Sequence, residues 1–529
     1  MVARTAEILA QRQLAVLATP APALHFTLEV SDEPDADALR AAIAAAFPGV
    51  TFELTHLLPN DDAPLDRFFR LIVPGLPFAE AGLNGFEVGY DLKDDLGLAS
   101  VETHAPFEPP LDGGPGDPGL SSGDGNDDPP ADRTWSLVHM KVREAWAFSE
   151  SLGKPSKGHD SIIAQPDTGT ADHLMLRGRL KPGWNFFGNN SDTTDPLDYV
   201  GTRGHGTSVA SNAVGAPIQS LRMVGVAPEA FVRPFRAVQV VIVSPSNSEA
   251  IGHSLVMGAR MGSQVASMSL GGPYLRSSPP RFLQDCIRHV VGQGLVVVAA
   301  AGNIITRLQP PWVTYPGWDP DVICAGNSTP QRTGYEWACR GPEVALSAPG
   351  RHVWTAWRGK PEDPVDSVGP GTGTSYATAN IAGVAALWFA HHGRETIQRA
   401  VPVNRVNALF RHLARLTADR PAGWKPDEYG AGIIDAVRLL KAPLTLPTDA
   451  EAEETPRAQP RERLVERLRL LGVDTASLAR IDDGFTERYG PELDWIAARR
   501  DLREAGVAPL DGKPVSDSLA SAFPAALEL

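Results

Sequence analysis

The sequence predicts an α/β protein: a mostly parallel sheet flanked by helices, preceded by a small ferredoxin-like α+β domain and followed by a helical tail. Three observations predict it. From about Trp135 to Pro443, short apolar runs alternate with helical periods, as in strands joined by covering helices. Within that region Leu295 to Ala301 is continuously small and apolar, the composition of a strand buried on both faces. Before it, residues 24 to 103 read in the order β-α-β-β-α-β.

The first domain, residues 1–108, follows from periodicity. Leu24, Phe26, Leu28 and Val30 alternate as in a half-buried strand, and Leu39, Ile43 and Phe47 line one face of an alanine-rich helix. Val50, Phe52 and Leu54 alternate again, and Phe68 to Val73 forms the next strand after the turn at Pro59 to Asp62. Leu83, Phe86, Tyr90 and Leu96 have helical spacing, against which Gly82, Gly85 and Gly89 count; Ala99 to Thr103 closes the pattern. Residues 109–133 then read as an acidic linker. Six glycines, six prolines and five aspartates between Pro109 and Pro130 leave little to bury, so this stretch cannot recover its ordering entropy.

Residues 134–443 form the large α/β domain. Ser161 to Ala164 is a short strand running up to Asp167, Ser248 to Gly262 a helix, Val265 to Leu270 a strand and Arg281 to Gly292 a helix. After a second linker, 444–460, residues 461–529 read as a helical appendage. Leu464, Leu468 and Leu471 mark one short amphipathic helix, and Pro491 stands at the first position of another that carries Trp495, Ile496 and Leu502. No motif in this tail carries a chemistry, and docking to a protein partner is its expected use.

A formal net charge of −15 argues against nucleic acid or an anionic membrane as a partner, since both are bound through clustered cations. No run approaches the 18 apolar residues of a membrane span, and the apolar stretch near the N-terminus is broken by Gln11-Arg12-Gln13, unlike a signal peptide. Cytoplasmic residence is the default reading, with secretion left open. Cys286, Cys324 and Cys339 lack any CxxC spacing and read as buried small hydrophobes, with a Cys324–Cys339 bridge as the alternative.

Four strings carry the chemistry. Gly373-Thr374-Ser375 opens an Ala/Gly/Val-rich helix, and by itself admits two readings: a helix cap, or a nucleophile whose hydroxyl faces helix-start N–H groups. A serine nucleophile needs a base, a carboxylate that orients the base, and donors for the oxyanion. Gln165-Pro166-Asp167-Thr168-Gly169 offers a carboxylate at a strand end. Gly204-His205-Gly206-Thr207-Ser208 sets an imidazole between glycines at a helix start, and Ala300-Ala301-Gly302-Asn303 puts a side-chain amide at the end of the buried strand. Asp160, Asp172, His139, His159, His173, His391 and His392 lack such contexts and read as solvated or packing residues.

The order Asp167, His205, Ser375 is that of the subtilisin type. With Ser267-Met268-Ser269-Leu270-Gly271-Gly272, Gly225-Val226-Ala227-Pro228, Tyr315-Pro316, Ser347-Ala348-Pro349-Gly350 and Tyr429-Gly430-Ala431-Gly432 in family order, residues 135 to 443 resemble the subtilisin-like (subtilase) serine proteases. The resemblance implies a serine endopeptidase with Asp167, His205 and Ser375 as its triad and Asn303 in its oxyanion hole. It further implies that Ser269, Leu270 and Gly271 pair with substrate backbone, that Ala300, Ala301 and Gly302 line the P1 pocket, and that Thr314 stands at the pocket floor. A small or medium apolar P1 residue follows.

Tyr376, Thr378, Ala379 and Asn380 depart from the residues frequent after the family's nucleophile; none carries a proton in the reaction. The chemistry requires no cofactor. Family members often hold structural calcium, but no position here is assignable to it and no acidic loop has EF-hand spacing. The first domain resembles the family's propeptide, an intramolecular chaperone and inhibitor, with a permanent regulatory or recruiting domain as the alternative. Two other functions stay in view: a transpeptidase or peptide cyclase using the same triad, and a non-catalytic binding scaffold.

Overall fold

The computed structural model describes residues 23–31, 35–59, 65–76, 78–80, 83–105, 128–199, 201–272, 279–304, 311–446, 460–504 and 515–528. The N-terminal segment, most of both expected linkers and part of the turn after Pro59 lie outside the described residues.

The first unit has the expected order. Strands β1 (Ala23–Glu29), β2 (Glu53–His56), β3 (Phe68–Pro74) and β6 (Ser100–Thr103) form an antiparallel sheet ordered β2-β3-β1-β6, with a small hairpin, β4 (Ala79–Glu80) and β5 (Leu83–Asn84), beside it. Helices α1 (Ala36–Ala46) and α2 (Gly85–Leu96) share a core with it built from Phe26, Leu28, Ile43, Phe69, Leu71 and Val88. Asp35 caps α1 by accepting from the N–H groups of Asp37 and Ala38. The glycines that weaken α2 on paper have a packing reason: a Cβ on Gly89 would lie 2.4 Å from Thr103 Oγ1, so only glycine lets α2 lie this close to β6.

The second unit is built on seven strands, all paired in parallel, in the order β13-β12-β11-β10-β7-β9-β8. They are β7 (Ile162–Asp167), β8 (Trp184–Asn185), β9 (Phe231–Arg236), β10 (Val265–Met268), β11 (Val296–Ala300), β12 (Ile323–Ser328) and β13 (Leu346–Pro349). Helices α3 (His205–Val214) and α6 (Thr374–His392) cover one face in a core that includes Val209, Ile381, Val384 and Trp388. Helices α4 (Pro245–Arg260) and α5 (Arg281–Gly292) cover the other, with Leu255, Phe282 and Ile287. A hairpin of β14 (Val353–Ala356) and β15 (Val368–Gly371) leads into α6. Among the described residues, no helix is long and apolar enough to cross a membrane.

The first unit contacts the second at α4 and α5. Leu57, Leu58, Leu65 and Phe68 join the core under those helices, and the Phe68 ring meets Phe282 edge-on at 5.4 Å. Around this apolar centre, Arg67 pairs with Asp285 at 2.6 Å, Arg70 with Glu249 at 2.6 Å, and Thr27 donates to Glu249 at 2.7 Å.

In the tail, α7 (Pro460–Leu470), α8 (Asp483–Glu504) and α9 (Asp517–Ala522) contribute to a further apolar cluster, in which Leu464 and Leu468 take part as expected. Pro491 does not begin a helix but lies inside α8. Asp482 starts α8 instead, its side chain accepting from Phe485 N and its main-chain oxygen from Thr486 N, so the helix is under way before the proline. The side chain of Leu502 lies outside the described residues. All three cysteines are buried and none is in a disulfide, so Cys324 and Cys339 form no bridge.

Candidate active site

Asp167 ends β7, where its main-chain oxygen accepts from Ala237 N and Val238 N and fixes the strand end against the chain leaving β9. His205 is the first residue of α3. The preceding Gly204 has φ +73°, and a Cβ there would lie 1.6 Å from Arg358 O, so the turn into α3 is open to glycine alone. The imidazole Nδ1 lies 3.0 Å and 3.1 Å from the two carboxylate oxygens of Asp167, both residues being wholly buried. Low dielectric strengthens such a pair, and a carboxylate on Nδ1–H leaves Nε2 as the basic nitrogen.

Ser375 is the second residue of α6, which is buried from Thr374 to His391. It is clamped to Ser269 in both directions. Ser375 Oγ donates to Ser269 O at 3.2 Å, and Ser269 Oγ donates to Ser375 O at 2.9 Å. The helices carrying His205 and Ser375 approach closely through Gly383, whose added Cβ would meet Val226 Cβ at 2.7 Å and Ala213 O at 3.2 Å.

Asn303 follows β11. Its Oδ1 accepts from Thr374 N at 3.0 Å and from Thr374 Oγ1 at 3.3 Å, while that hydroxyl oxygen accepts from Gly302 N at 3.1 Å. With its oxygen engaged in this way, the amide has Nδ2 as its donor end. Thr374 thus ties the serine helix to the end of β11.

The expected substrate-binding residues surround this junction. Ser269, Leu270 and Gly271 follow β10, and Ala300, Ala301 and Gly302 close β11. Leu270 is 1% exposed and its side chain belongs to the core, so only its backbone can meet a ligand. Thr314 sits between the two segments: Oγ1 donates to Ala301 O at 3.2 Å, and it lies 2.3 Å and 2.6 Å from where a Cβ on Gly271 or Gly302 would stand. The two glycines make room for this one side chain.

Sequence reasoning missed Asp195 and the role of Thr168. Thr168 Oγ1 accepts from Gly206 N at 3.1 Å and donates to Asp195 Oδ2 at 2.8 Å. Asp195, 2% exposed, also accepts from Gly204 N at 2.8 Å, Leu197 N at 3.2 Å and Tyr199 OH at 3.4 Å. Burial raises its pKa above the usual carboxylate value against the pull of those donors. One carboxylate thereby joins the turn after Asp167 to the turn before His205. Thr168 could have been suspected as the neighbour of Asp167; Asp195 sits in a polar loop with no local signal.

The residues set aside behave as expected. Asp160 and Asp172 have exposed side chains, Asp172 paired with Arg177. His173 is buried, accepting from Met175 N and bonded to Ser367 O, and His391 contacts Ser149 and stacks on Phe148. No group of three or more His, Cys, Asp or Glu that could hold a metal is present among the described residues.

The family model described as the subtilase family, Peptidase_S8, matches residues 158–432, more than half of the chain. The chain belongs to the subtilase family. Its relatives include thermitase of Thermoactinomyces vulgaris, 29% identical over 50% of this chain and 84% of thermitase, and mycosin-1 of Mycolicibacterium smegmatis, 27% identical over 59% of this chain and 73% of mycosin-1. The major intracellular serine protease of Bacillus subtilis is 29% identical over 53% of this chain and 80% of its own length. Among solved structures, fervidolysin of Fervidobacterium pennivorans aligns with a TM-score of 0.55 at 18% identity, over 81% of this chain and 62% of its own; at that identity the likeness is one of fold. This subtilase is therefore a serine hydrolase acting on peptide or protein substrates.

Proposed function

We propose that this subtilase is an endopeptidase working through an acyl-enzyme formed on Ser375, with His205 as general base and Asp167 as its orienting carboxylate. Ser375 Oγ attacks the scissile carbonyl as its proton passes to His205 Nε2, which later protonates the leaving amine. Asp167 holds the Nδ1–H tautomer and stabilises the imidazolium as it forms. Asn303 Nδ2 and the backbone N–H of Ser375 receive the oxyanion, and loss of one such donor costs about 10²- to 10³-fold in turnover. A water resolves the acyl-enzyme. The backbone of Ser269 to Gly271 pairs with an extended substrate, while Ala300 to Gly302 and Thr314 shape a P1 pocket for a small or medium apolar side chain. The observation that carries this reading is the buried contact of His205 Nδ1 with both oxygens of Asp167.

The N-terminal unit, in this reading, is an intramolecular inhibitor and folding partner of the catalytic unit. Its apolar seat on α4 and α5 and the ion pairs of Arg67 and Arg70 support that role.

A fluorophosphonate probe on the full chain tests the chemistry. Labelling and peptide hydrolysis are both expected to disappear in Ser375→Ala and to fall steeply in His205→Ala. Undiminished hydrolysis by Ser375→Ala, or a label borne by another residue, overturns the assignment.

A further inference from the structure

The tail expected to dock a partner buries its apolar face on this chain's own N-terminal unit. Trp495 of α8 lies 5.3 Å from the Phe78 ring and 5.6 Å from the Phe86 ring, and Ala105 joins the same cluster. The polar contacts match. Glu492 is fully buried and accepts from Tyr90 OH at 2.8 Å, from Ser516 Oγ at 2.8 Å and from Ser516 N. Glu87 of α2 accepts from Ser518 N and Ser518 Oγ at the start of α9, and Asp94 receives a two-pronged hydrogen bond from Arg488 at 2.8 Å and 3.0 Å.

The tail also reaches the catalytic unit. Arg463 of α7 pairs with Glu343, both nearly buried, and lies over the Trp312 ring at 5.6 Å, two residues before Thr314. The N-terminal unit is therefore gripped from two directions. Loops and residues around α4 and α5 hold it to the catalytic unit, while α8 and α9 hold its α2 face and α7 anchors that grip to the catalytic unit.

We propose that residues 460–504 and 515–528 are a retaining clamp whose binding partner is the N-terminal unit, keeping it seated on the catalytic unit after the chain between residues 106 and 127 is cut. The proposal rests on the inhibitory reading only for its consequence: retention keeps a cut chain controlled. Burying two aromatic contacts and a fully bonded carboxylate produces slow dissociation, since affinity within one interface is set mainly by the off-rate.

The test uses the full chain carrying Ser375→Ala, with the recognition sequence of a site-specific protease placed between residues 112 and 124. After cutting, the N-terminal fragment should co-elute with the remainder in size exclusion. Glu87→Ala with Tyr90→Ala removes contacts to the tail while leaving the tail's own residues intact, and dissociation of the labelled fragment should then become at least about tenfold faster. Trp495→Ala, made on the other side of the contact, should act in the same direction. Circular dichroism melts of each uncut variant establish that it is folded. Dissociation from folded variants at the unmodified rate overturns the clamp. Peptide hydrolysis by the same cut chains with Ser375 retained is scored separately. A fragment that stays bound without lowering turnover rejects the inhibitory reading and leaves the clamp standing.

Discussion

Gly206→Ala probes the link between the two turns that bring Asp167 and His205 together. A Cβ at Gly206 would lie 2.1 Å from Gly169 O and 3.2 Å from Asp167 Oδ1, whereas ordinary contact begins at 3.4 Å. Both the carbonyl and the helix start are backbone, so no rotamer change relieves the clash, and the turns must separate by about 1 Å. That movement stretches an Nδ1 contact of 3.0 Å beyond hydrogen-bond range. It also draws Gly206 N away from Thr168 Oγ1. A misplacement of about 1 Å costs about 10²-fold in turnover, or ~2.7 kcal/mol of barrier. The strands that line the pocket are not displaced, so the loss should fall on kcat, with KM within about threefold of wild type. Initial rates on a chromogenic peptide across a range of concentrations separate the two, and a thermal melt establishes folding. A folded Gly206→Ala protein with kcat within twofold of wild type would refute the claim that this approach sets the Asp167–His205 geometry.

Asp195→Ala leaves the donors Gly204 N, Leu197 N and Thr168 Oγ1 without their buried acceptor, at about 1–3 kcal/mol for each that no water satisfies. Urea unfolding should show lowered stability, and kcat should fall more than KM rises; unchanged kcat in a destabilised protein would reduce Asp195 to a purely structural role. Thr314→Gly empties the space between Gly271 and Gly302, and should shift preference in a peptide library toward larger P1 residues; an unaltered P1 profile would place the pocket floor elsewhere. Burial pushes the pKa of Glu492 up to about 7 despite the donors Ser516 and Tyr90, and nearby Glu87 acts in the same direction. Because the folded-state value lies above the ordinary 4.5, this contribution to tail stability is complete below about 4.5 and is lost as pH rises through about 7. Limited proteolysis within α8 and α9 should therefore accelerate between about pH 6 and 8, and Glu492→Gln should flatten that dependence.

What the sequence determined was whatever one element imposes on its own neighbours. The alternation of Leu24, Phe26 and Leu28 follows from strand pleat, and the uninterrupted Val296 to Ala300 from burial on both sheet faces. Glycines around His205, an aspartate at a strand end and a serine opening an apolar helix are likewise local requirements, each written within about five residues. They identified the family, and the structure brings two of those strings together at Asp167 and His205. The tertiary structure alone decided what depends on where the chain returns. Asp195 joins two turns from a loop 28 residues after Asp167, and nothing near it in sequence reports the donors it faces. Leu270 turns its side chain into the core, because side-chain direction beyond a strand end is set by packing and not by period. Pro491 lies within α8, because the cap at Asp482 begins the helix upstream of the start that proline favours. The same holds for the tail. Its apolar face was legible as Leu464, Leu468, Trp495 and Ile496, but periodicity shows only that a face must be buried. The partner is defined by complementary shape and hydrogen bonding at Phe86, Glu87 and Tyr90, about 400 residues away in the chain.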